Sequence, residues 1–140
     1  MDLYSVTGFL VHRTDVKMTN YFMKRLKQYA ITPEQWSLIS YLNTEHALTQ
    51  KELAIAIDRD QTTIVRMIHS LVKKDMVRKV VNDGDRRSHE LYLSEKGAAL
   101  KEQLIETVRE AHEHITRGLS EQEIEQLHAL LNRLYINATE

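Results

Sequence analysis

The chain has 140 residues, which predicts one domain or two small lobes sharing a core, and its formal net charge is −1 at pH 7. It contains no cysteine, which excludes disulfides, thiolate metal sites and thiol-based redox sensing. The first residues lack the basic leader and apolar core of a signal peptide, and no apolar run approaches the roughly 20 residues of a membrane helix. We therefore expect a cytoplasmic protein without a membrane partner.

The charges are unevenly distributed along the chain. Residues 1–45 carry five Lys and Arg against four Asp and Glu, residues 46–93 carry nine against seven, and residues 94–140 carry five against nine. A basic centre beside an acidic end predicts that only one face meets a polyanion. Ordinary surface charge explains so small an excess equally well, so the positions of the arginines matter more than the totals.

The first part of the chain predicts two helices. Residues 3–29 read as one long helix, and its apolar stripe consists of Leu3, Val6, Leu10, Met18, Phe22, Leu26 and Tyr29. A helix this long in a small protein is typical of one that reaches a partner subunit. Thr32, Pro33 and Gln35 form a capping-box pattern that begins a second helix, which we expect to end near residues 43–45.

The next two helices are short and closely spaced. Thr49 and Glu52 form a second capping-box pattern, and Asp60 caps the following helix after a tight turn. The apolar residues of that following helix, three and four positions apart, are Ile64, Met67, Ile68 and Leu71. Two short helices joined by a turn predict a helix-turn-helix. Asp75 falls where the second of them should end in a left-handed residue.

A β-hairpin follows these helices. The pattern switches to a two-residue period, in which Val77, Lys79 and Val81 alternate with Arg78 and Val80, and Leu91 and Leu93 alternate with Glu90 and Tyr92. Residues 82–88 between the two runs are rich in turn formers. Arg86 and Arg87 stand at its tip. A helix that displays short polar groups, followed by an arginine-tipped hairpin, predicts a winged helix-turn-helix that enters one DNA groove and straddles the next.

The last part of the chain predicts two more helices. Ser94 opens a long helix that ends at Gly118, and Ser120 begins a third capping box. The apolar residues of the final helix are Ile124, Leu127, Leu131 and Leu134. We therefore expect a mainly α single domain, residues 1–140, with a small β-hairpin. Its winged lobe spans about residues 32–93, and its dimerisation helices span about 1–30 and 95–140.

The chain resembles the MarR family of bacterial transcription regulators over essentially its whole length. The most specific part of the resemblance is the hairpin and the helix after it. The matching segments are Asn82-Asp83-Gly84-Asp85-Arg86-Arg87, Leu93-Ser94-Glu95-Lys96-Gly97 and Leu48-Thr49-Gln50-Lys51-Glu52-Leu53-Ala54. The first looks like the family's D-x-x-D-x-R wing, with Asp85 and Arg87 at matching positions, and the second like its L-T-x-x-G. Asn82 stands where the family usually has Asp, and Asp75 where it usually has Gly.

This resemblance implies a homodimer that binds a pseudo-palindromic operator in double-stranded DNA, usually to repress. It also implies that a small aromatic or phenolic effector can release the DNA by entering the cleft between the dimer helices and the DNA lobe. The alternative is a helical protein–protein interaction module that has kept the winged-helix shape without DNA binding. That alternative predicts loss of positive charge from the helix and wing, whereas Arg66, Lys73, Lys74, Arg78, Lys79, Arg86 and Arg87 remain.

Several polar residues are candidates for reading the DNA. The first turns of the recognition helix, which meet base edges, carry Gln61, Thr62, Thr63, Val65 and Arg66. Arg66 suits guanine, Gln61 suits adenine, and Thr or Val methyl groups suit the thymine methyl. Thr63 alternatively serves the cap of its own helix.

Two further groups are candidates for contacts with the DNA backbone and minor groove. Thr49 and Gln50 lie at a helix N-terminus, where free N–H groups attract phosphate, and capping alone is the alternative. Arg86 and Arg87 can insert into the minor groove, with a solvated turn as the alternative. Asp85 would orient Arg87 through a charge-assisted hydrogen bond or simply form the turn.

Four aromatic residues at helical spacing, Phe22, Tyr29, Trp36 and Tyr41, can line an effector cleft, although such residues are more often core. The seven histidines lack the spacing of converging zinc ligands, so we expect no metal and no cofactor. The chain also has no glycine-rich phosphate loop and no G-x-S-x-G motif, and we expect no enzymatic activity.

Overall fold

The structure is a computed structural model that describes residues 2–82 and 84–140, with the side chains of all of these except residues 82 and 85–88. Its α-helices are α1 (Thr7–Leu26), α2 (Pro33–Tyr41), α3 (Gln50–Ala56), α4 (Gln61–Lys73), α5 (Glu95–Ile115) and α6 (Glu121–Thr139). Its strands are β1 (Leu48–Thr49), β2 (Val77–Asn82) and β3 (Asp85–Leu93). The fold is the mainly helical winged helix that the sequence predicts.

The prediction of one continuous helix over residues 3–29 is wrong at both ends. A 3-10 turn, Leu3–Ser5, precedes α1, and a second, Lys27–Tyr29, follows it. The Asp2 carboxylate accepts the Tyr4 N–H at 3.0 Å, and local bonds of this kind compete with regular helix. Ala30 then adopts the left-handed conformation with φ 56°, which stops the chain from continuing in the same direction.

The helix starts predicted from capping patterns are confirmed. Thr32, Thr49 and Ser120 each form a reciprocal capping box with the residue three positions later. The side chains of Asp60 and Ser94 also accept the N–H three residues on. The second helix ends at Tyr41, slightly earlier than predicted. Asp75 is left-handed with φ 61°, as expected.

The sheet has a strand that the sequence analysis missed. The order is β1-β3-β2 and both pairings are antiparallel, with Leu48 opposite Leu91 and Val77 opposite Leu93. The strand β1 has only two residues, too few to show a two-residue period. It ties the start of α3 to the hairpin, so the wing and the helix-turn-helix form one rigid lobe.

The core lies between the sheet, α2, α3, α4 and the first half of α5. Its fully buried large side chains are Leu26, Leu38, Ile39, Leu42, Leu53, Ile64, Ile68, Leu71, Leu91, Leu93 and Leu104. In contrast, every residue of α6 is exposed except Ile124, which is half-buried. In the part of the chain that the structure describes, no helix combines the length and the apolar character needed to cross a membrane.

Candidate nucleic-acid interface

The helix α4 has two clearly different faces. Ile64, Met67, Ile68 and Leu71 are buried in the lobe, with exposed fractions between 0% and 7%. The exposed face carries Gln61, Thr62, Val65, Arg66, His69 and Lys73. The division between inward and outward residues is the one that the sequence predicts. Since α4 contains no Asp or Glu, its outer face offers cations and neutral hydrogen-bonding groups only.

The N-terminus of α4 is held by a short polar network. The Asp60 carboxylate accepts the Thr63 N–H at 3.1 Å and the Thr63 hydroxyl at 2.6 Å. These two bonds stabilise the charged form and lower the pKa of Asp60 below its ordinary value. The Thr63 hydroxyl therefore serves the cap. Any contact of Thr63 with a base edge would have to use its methyl group, and that contact remains a prediction.

The start of α3 is also occupied by its own cap. The Thr49 hydroxyl accepts the Glu52 N–H at 3.1 Å, and the Glu52 carboxylate accepts the Thr49 N–H at 3.2 Å. Both Thr49 and Gln50 are half-buried. The capping role proposed for Thr49 is thus present. Phosphate contact at this terminus remains a prediction that rests on the amides of Gln50 and Lys51, which lie outside the capping box.

The hairpin adds two exposed cations to the winged lobe. Arg78 and Lys79 on β2 are exposed, and the Arg78 guanidinium lies 5.1 Å from the centre of the Tyr92 ring on β3. This cation–π contact holds Arg78 flat against the sheet. The side chains of Asp85, Arg86 and Arg87 lie outside the described residues, so their predicted DNA contacts stay predictions. Their backbone occupies the first positions of β3, directly after the turn.

Some lysines of the lobe instead donate hydrogen bonds to backbone carbonyls and stabilise the fold. Lys74 Nζ donates to the Ala30 carbonyl at 2.5 Å, Lys96 Nζ to the Lys74 carbonyl at 3.1 Å, and Lys101 Nζ to the Leu42 carbonyl at 2.8 Å. Each of these carbonyls lies at the end of a helix, where a cation is favourable. The sequence analysis counted Lys74 among the charges available to DNA. Its position directly after the last helical residue was the signal for a structural role.

A cavity of about 410 Å³ lies between α1 and the winged lobe. Its lining residues are Asp15, Thr19, Pro33, Glu34, Ser37, Ile57, Arg59 and Met67. Arg59, in the turn before α4, forms an ion pair with Glu34 on α2 at the edge of this cavity. The cavity therefore touches the turn of the helix-turn-helix as well as the long first helix.

The four aromatic residues predicted to line an effector cleft do not line this cavity. Tyr29 and Trp36 are half-buried and pack against the core, and the Tyr29 hydroxyl lies 3.3 Å from Thr107 Oγ1 on α5. Phe22 is half-buried with its ring edge-on to Tyr21, whereas Tyr41 is half exposed. Their role as a ligand site stays a prediction. Among the described side chains, no three His, Asp or Glu residues converge as metal ligands.

The chain is similar to known DNA-binding proteins over nearly its full length. The MarR family profile matches residues 31–89, which cover α2 to the wing. The multiple antibiotic resistance protein MarR of Escherichia coli is 27% identical over 128 residues, 91% of this chain and 89% of that protein.

Two solved structures with similar folds contain DNA. The MepR–DNA complex of S. aureus has a TM-score of 0.87 at 26% identity and covers 94% of this chain and 98% of that one. A mutant MarR of E. coli complexed with operator DNA has a TM-score of 0.86 at 27% identity and covers 96% and 99%. The similarity therefore includes the long outer helices as well as the winged lobe.

Proposed function

We propose that this chain is a member of the MarR family and a homodimeric DNA-binding repressor rather than an enzyme, since the family profile, a MarR protein and DNA-bound structures are similar to it. In this proposal two winged lobes bind the half-sites of a pseudo-palindromic operator, and a small organic effector releases them. Such a role places the protein in the cytoplasm with the chromosome.

The outer face of α4 is the observation that carries the proposal. Thr62, Arg66 and Lys73 are exposed along one side of a helix that contains no acidic residue. Arg78 and Lys79 on the hairpin add two exposed cations. A protein–protein module has no need of such a surface, whereas a helix that enters the major groove needs both cations and short hydrogen-bonding groups.

The exposed apolar face of α6 supports the homodimer. Leu127, Leu130, Leu131, Leu134 and Tyr135 are each between 41% and 57% exposed in the single chain. These residues recur at intervals of three and four and share one side of the helix. An exposed apolar stripe of this length is costly in water, and a second copy of the chain can cover it. Two lobes linked in this way can read two half-sites.

The cavity beside Arg59 supports control by an effector. Arg59 lies immediately before the Asp60 cap of α4 and is paired with Glu34 across the cavity edge. A ligand with a carboxylate or phenolate can compete with Glu34 for this guanidinium. Ile57 and Met67 offer apolar surface for an aromatic ring. Occupation of this cavity would shift the turn and, with it, the start of α4.

The proposed operator binding is tested by selecting duplexes from a random library with the purified wild-type protein. We expect the selected sites to contain inverted repeats whose half-sites are about one helical turn apart, because the two lobes of a dimer are related by a two-fold axis. Sedimentation of the protein–DNA complex should give two chains per duplex. Failure to enrich any duplex over a scrambled sequence would overturn the proposal in favour of the protein–protein module.

The proposed effector site is tested with benzoate and phenol as small aromatic ligands. Either compound should raise the melting temperature of the free protein and weaken its binding to the selected duplex, because a ligand stabilises the state that it binds. The Arg59→Gln variant, which removes the cation, should lose the response to benzoate. If benzoate acts equally on the wild type and on this variant, the effector does not use this cavity.

A further inference from the structure

A buried amide joins α2 to α4. Gln35 is 8% exposed and is the one polar residue among the buried side chains of the described part of the chain. Its Oε1 accepts the Thr32 N–H at 3.1 Å and completes the capping box of α2. Its Nε2 donates to Ser70 Oγ on α4, also at 3.1 Å. The second bond connects two helices and is not needed for the capping box.

The residue type supports a role beyond capping. The other two capping boxes of the protein use Glu52 and Glu123 at the equivalent position. A glutamate can accept the N-cap N–H as well as a glutamine can, but a carboxylate has no hydrogen to donate to a serine oxygen. The capping box of α2, which faces α4, is therefore the one whose third residue has an amide group that can donate a hydrogen bond.

The C-terminal end of α4 is also bonded to the segment that follows α1. Lys74, directly after α4, donates to the Ala30 carbonyl at 2.5 Å, and its Nζ lies 3.5 Å from Gln35 Oε1. Ala30 is the left-handed residue that ends the turn after α1. The end of α4 is thus attached by directional polar bonds to the junction between α1 and α2.

The buried side chains of α4 set which face of the helix points into the lobe, and the polar bonds at its end add directional restraints on its rotation. Its buried side chains, such as Ile64 and Ile68, make apolar contacts, and these contacts are not directional. A rotation of about 10° moves a side-chain tip about 6 Å from the axis by roughly 1 Å. A shift of that size is enough to break a hydrogen bond between Arg66 and a base edge.

We propose that Gln35 and Ser70 are positioning residues that fix the rotation of α4, so that its outer face meets the bases in register. The pair touches no DNA itself and acts through Arg66 and its neighbours. The inference rests on the proposed function and concerns discrimination between sequences more than attachment to DNA.

The test compares three variants. Two remove the hydroxyl group of a serine, and the third keeps it. Ser70→Ala removes the partner of Gln35 on α4 and leaves the capping box of α2 intact. Ser40→Ala is the matched control, because Ser40 is also half-buried but bonds within its own helix, to the Ser37 carbonyl at 2.7 Å. Ser70→Thr keeps the hydroxyl and serves as the conservative rescue. Affinity is measured on the duplex selected by the wild type and on a scrambled duplex of equal composition.

We expect Ser70→Ala to lose roughly tenfold in affinity for the selected duplex, the size of one hydrogen bond lost. Affinity for scrambled DNA should change less than about twofold, because attachment there rests on phosphate contacts. Ser40→Ala and Ser70→Thr should keep the wild-type ratio of affinities for the two duplexes. A variant that is merely less folded would instead weaken binding to both duplexes in proportion.

Two results would overturn the inference, and they differ from each other. If the wild type prefers its selected duplex and Ser70→Ala keeps that full preference, the pair does not position α4, while the proposed function stands. If the wild type prefers no duplex, the proposed function fails and the inference fails with it.

Discussion

Arg66 and the arginines of the hairpin have different tasks in the proposed complex. Arg66 is exposed on the outer face of α4, where it can reach a base edge. Arg86 and Arg87 follow the turn of the wing, and their contacts with phosphates and the minor groove are a prediction from the sequence. The first kind of contact reads sequence, whereas the second mainly adds affinity.

This division predicts different behaviour for two alanine variants. Arg66→Ala should relax the preference at particular operator positions by about 1–3 kcal/mol, the usual contribution of a bidentate base contact. Arg87→Ala should weaken binding to many sequences and lower the salt dependence by about one unit of slope. The measurement is affinity against salt concentration for both variants on operator and scrambled DNA. An unchanged affinity and slope for Arg87→Ala would show that the wing does not contact DNA.

The Asp60 cap predicts a specific response to acid. The hydrogen bonds from Thr63 lower the pKa of Asp60 in the folded protein. The stabilisation is therefore complete above the unfolded pKa of about 3.9 and is lost as the pH falls through the lower, folded pKa. Asp60→Asn keeps an oxygen acceptor at every pH and should lack this loss. Urea unfolding of both proteins from pH 6 to pH 2.5 measures the difference, and parallel curves would contradict the prediction.

At the scale of elements, α5 begins in close contact with the end of the helix-turn-helix. The Ser94 hydroxyl donates to the Asp75 carbonyl at 2.7 Å, and the Ser94 N–H donates to the Met76 carbonyl at 3.0 Å. A Cβ placed on Gly97 would lie 2.1 Å from the Met76 carbonyl oxygen. The glycine is thus required because the backbone of the lobe passes so close to the first turn of α5.

This close approach predicts opposite effects for two glycine variants. Gly97→Ala should destabilise the protein by about 1–3 kcal/mol, because either α5 or the segment after α4 must move. Gly8→Ala in α1 is the control, since a Cβ there meets nothing within 4 Å. It should leave the stability unchanged or raise it by up to about 1 kcal/mol. Urea unfolding measures both, and equal stability of the two variants would refute the packing argument.

At the scale of the whole molecule, the proposed dimer rests on the exposed apolar surface of the last helix. The helix α6 has no buried residue in the single chain, although four of its leucines share one side. The lobe that meets DNA is complete by itself, whereas the outer helices are not. The proposed assembly of two chains rests on the surface that a single chain leaves uncovered.

The protein should sediment as a dimer of about twice 16.4 kDa at micromolar concentration. Leu134→Lys should weaken the dimer, because it places a charge in the apolar stripe of α6. Glu125→Lys is the matched control, nine residues away and on the opposite side of the helix. Removal of residues 120–140 should leave the chain aggregated or unfolded. A monomeric truncation with normal helical content would refute the role of α6.

The sequence by itself determined the order of the six α-helices and the hairpin, and the faces of α4. A cap such as Asp60 acts on a residue three positions away, and the burial of Ile64 and Leu71 follows from helical periodicity, so neither depends on distant parts of the chain. The residues named for DNA contact were chosen on the same local grounds, together with the family resemblance.

Only the tertiary structure decided which polar side chains bond to distant parts of the chain and hold the fold together. Lys74 reaches a carbonyl 44 positions earlier in the chain, and Gln35 reaches a hydroxyl 35 positions later. The two-residue strand β1 exists only because β3 supplies its partner. Such pairings depend on how the helices pack against one another, and that packing is not written in the spacing of any single segment.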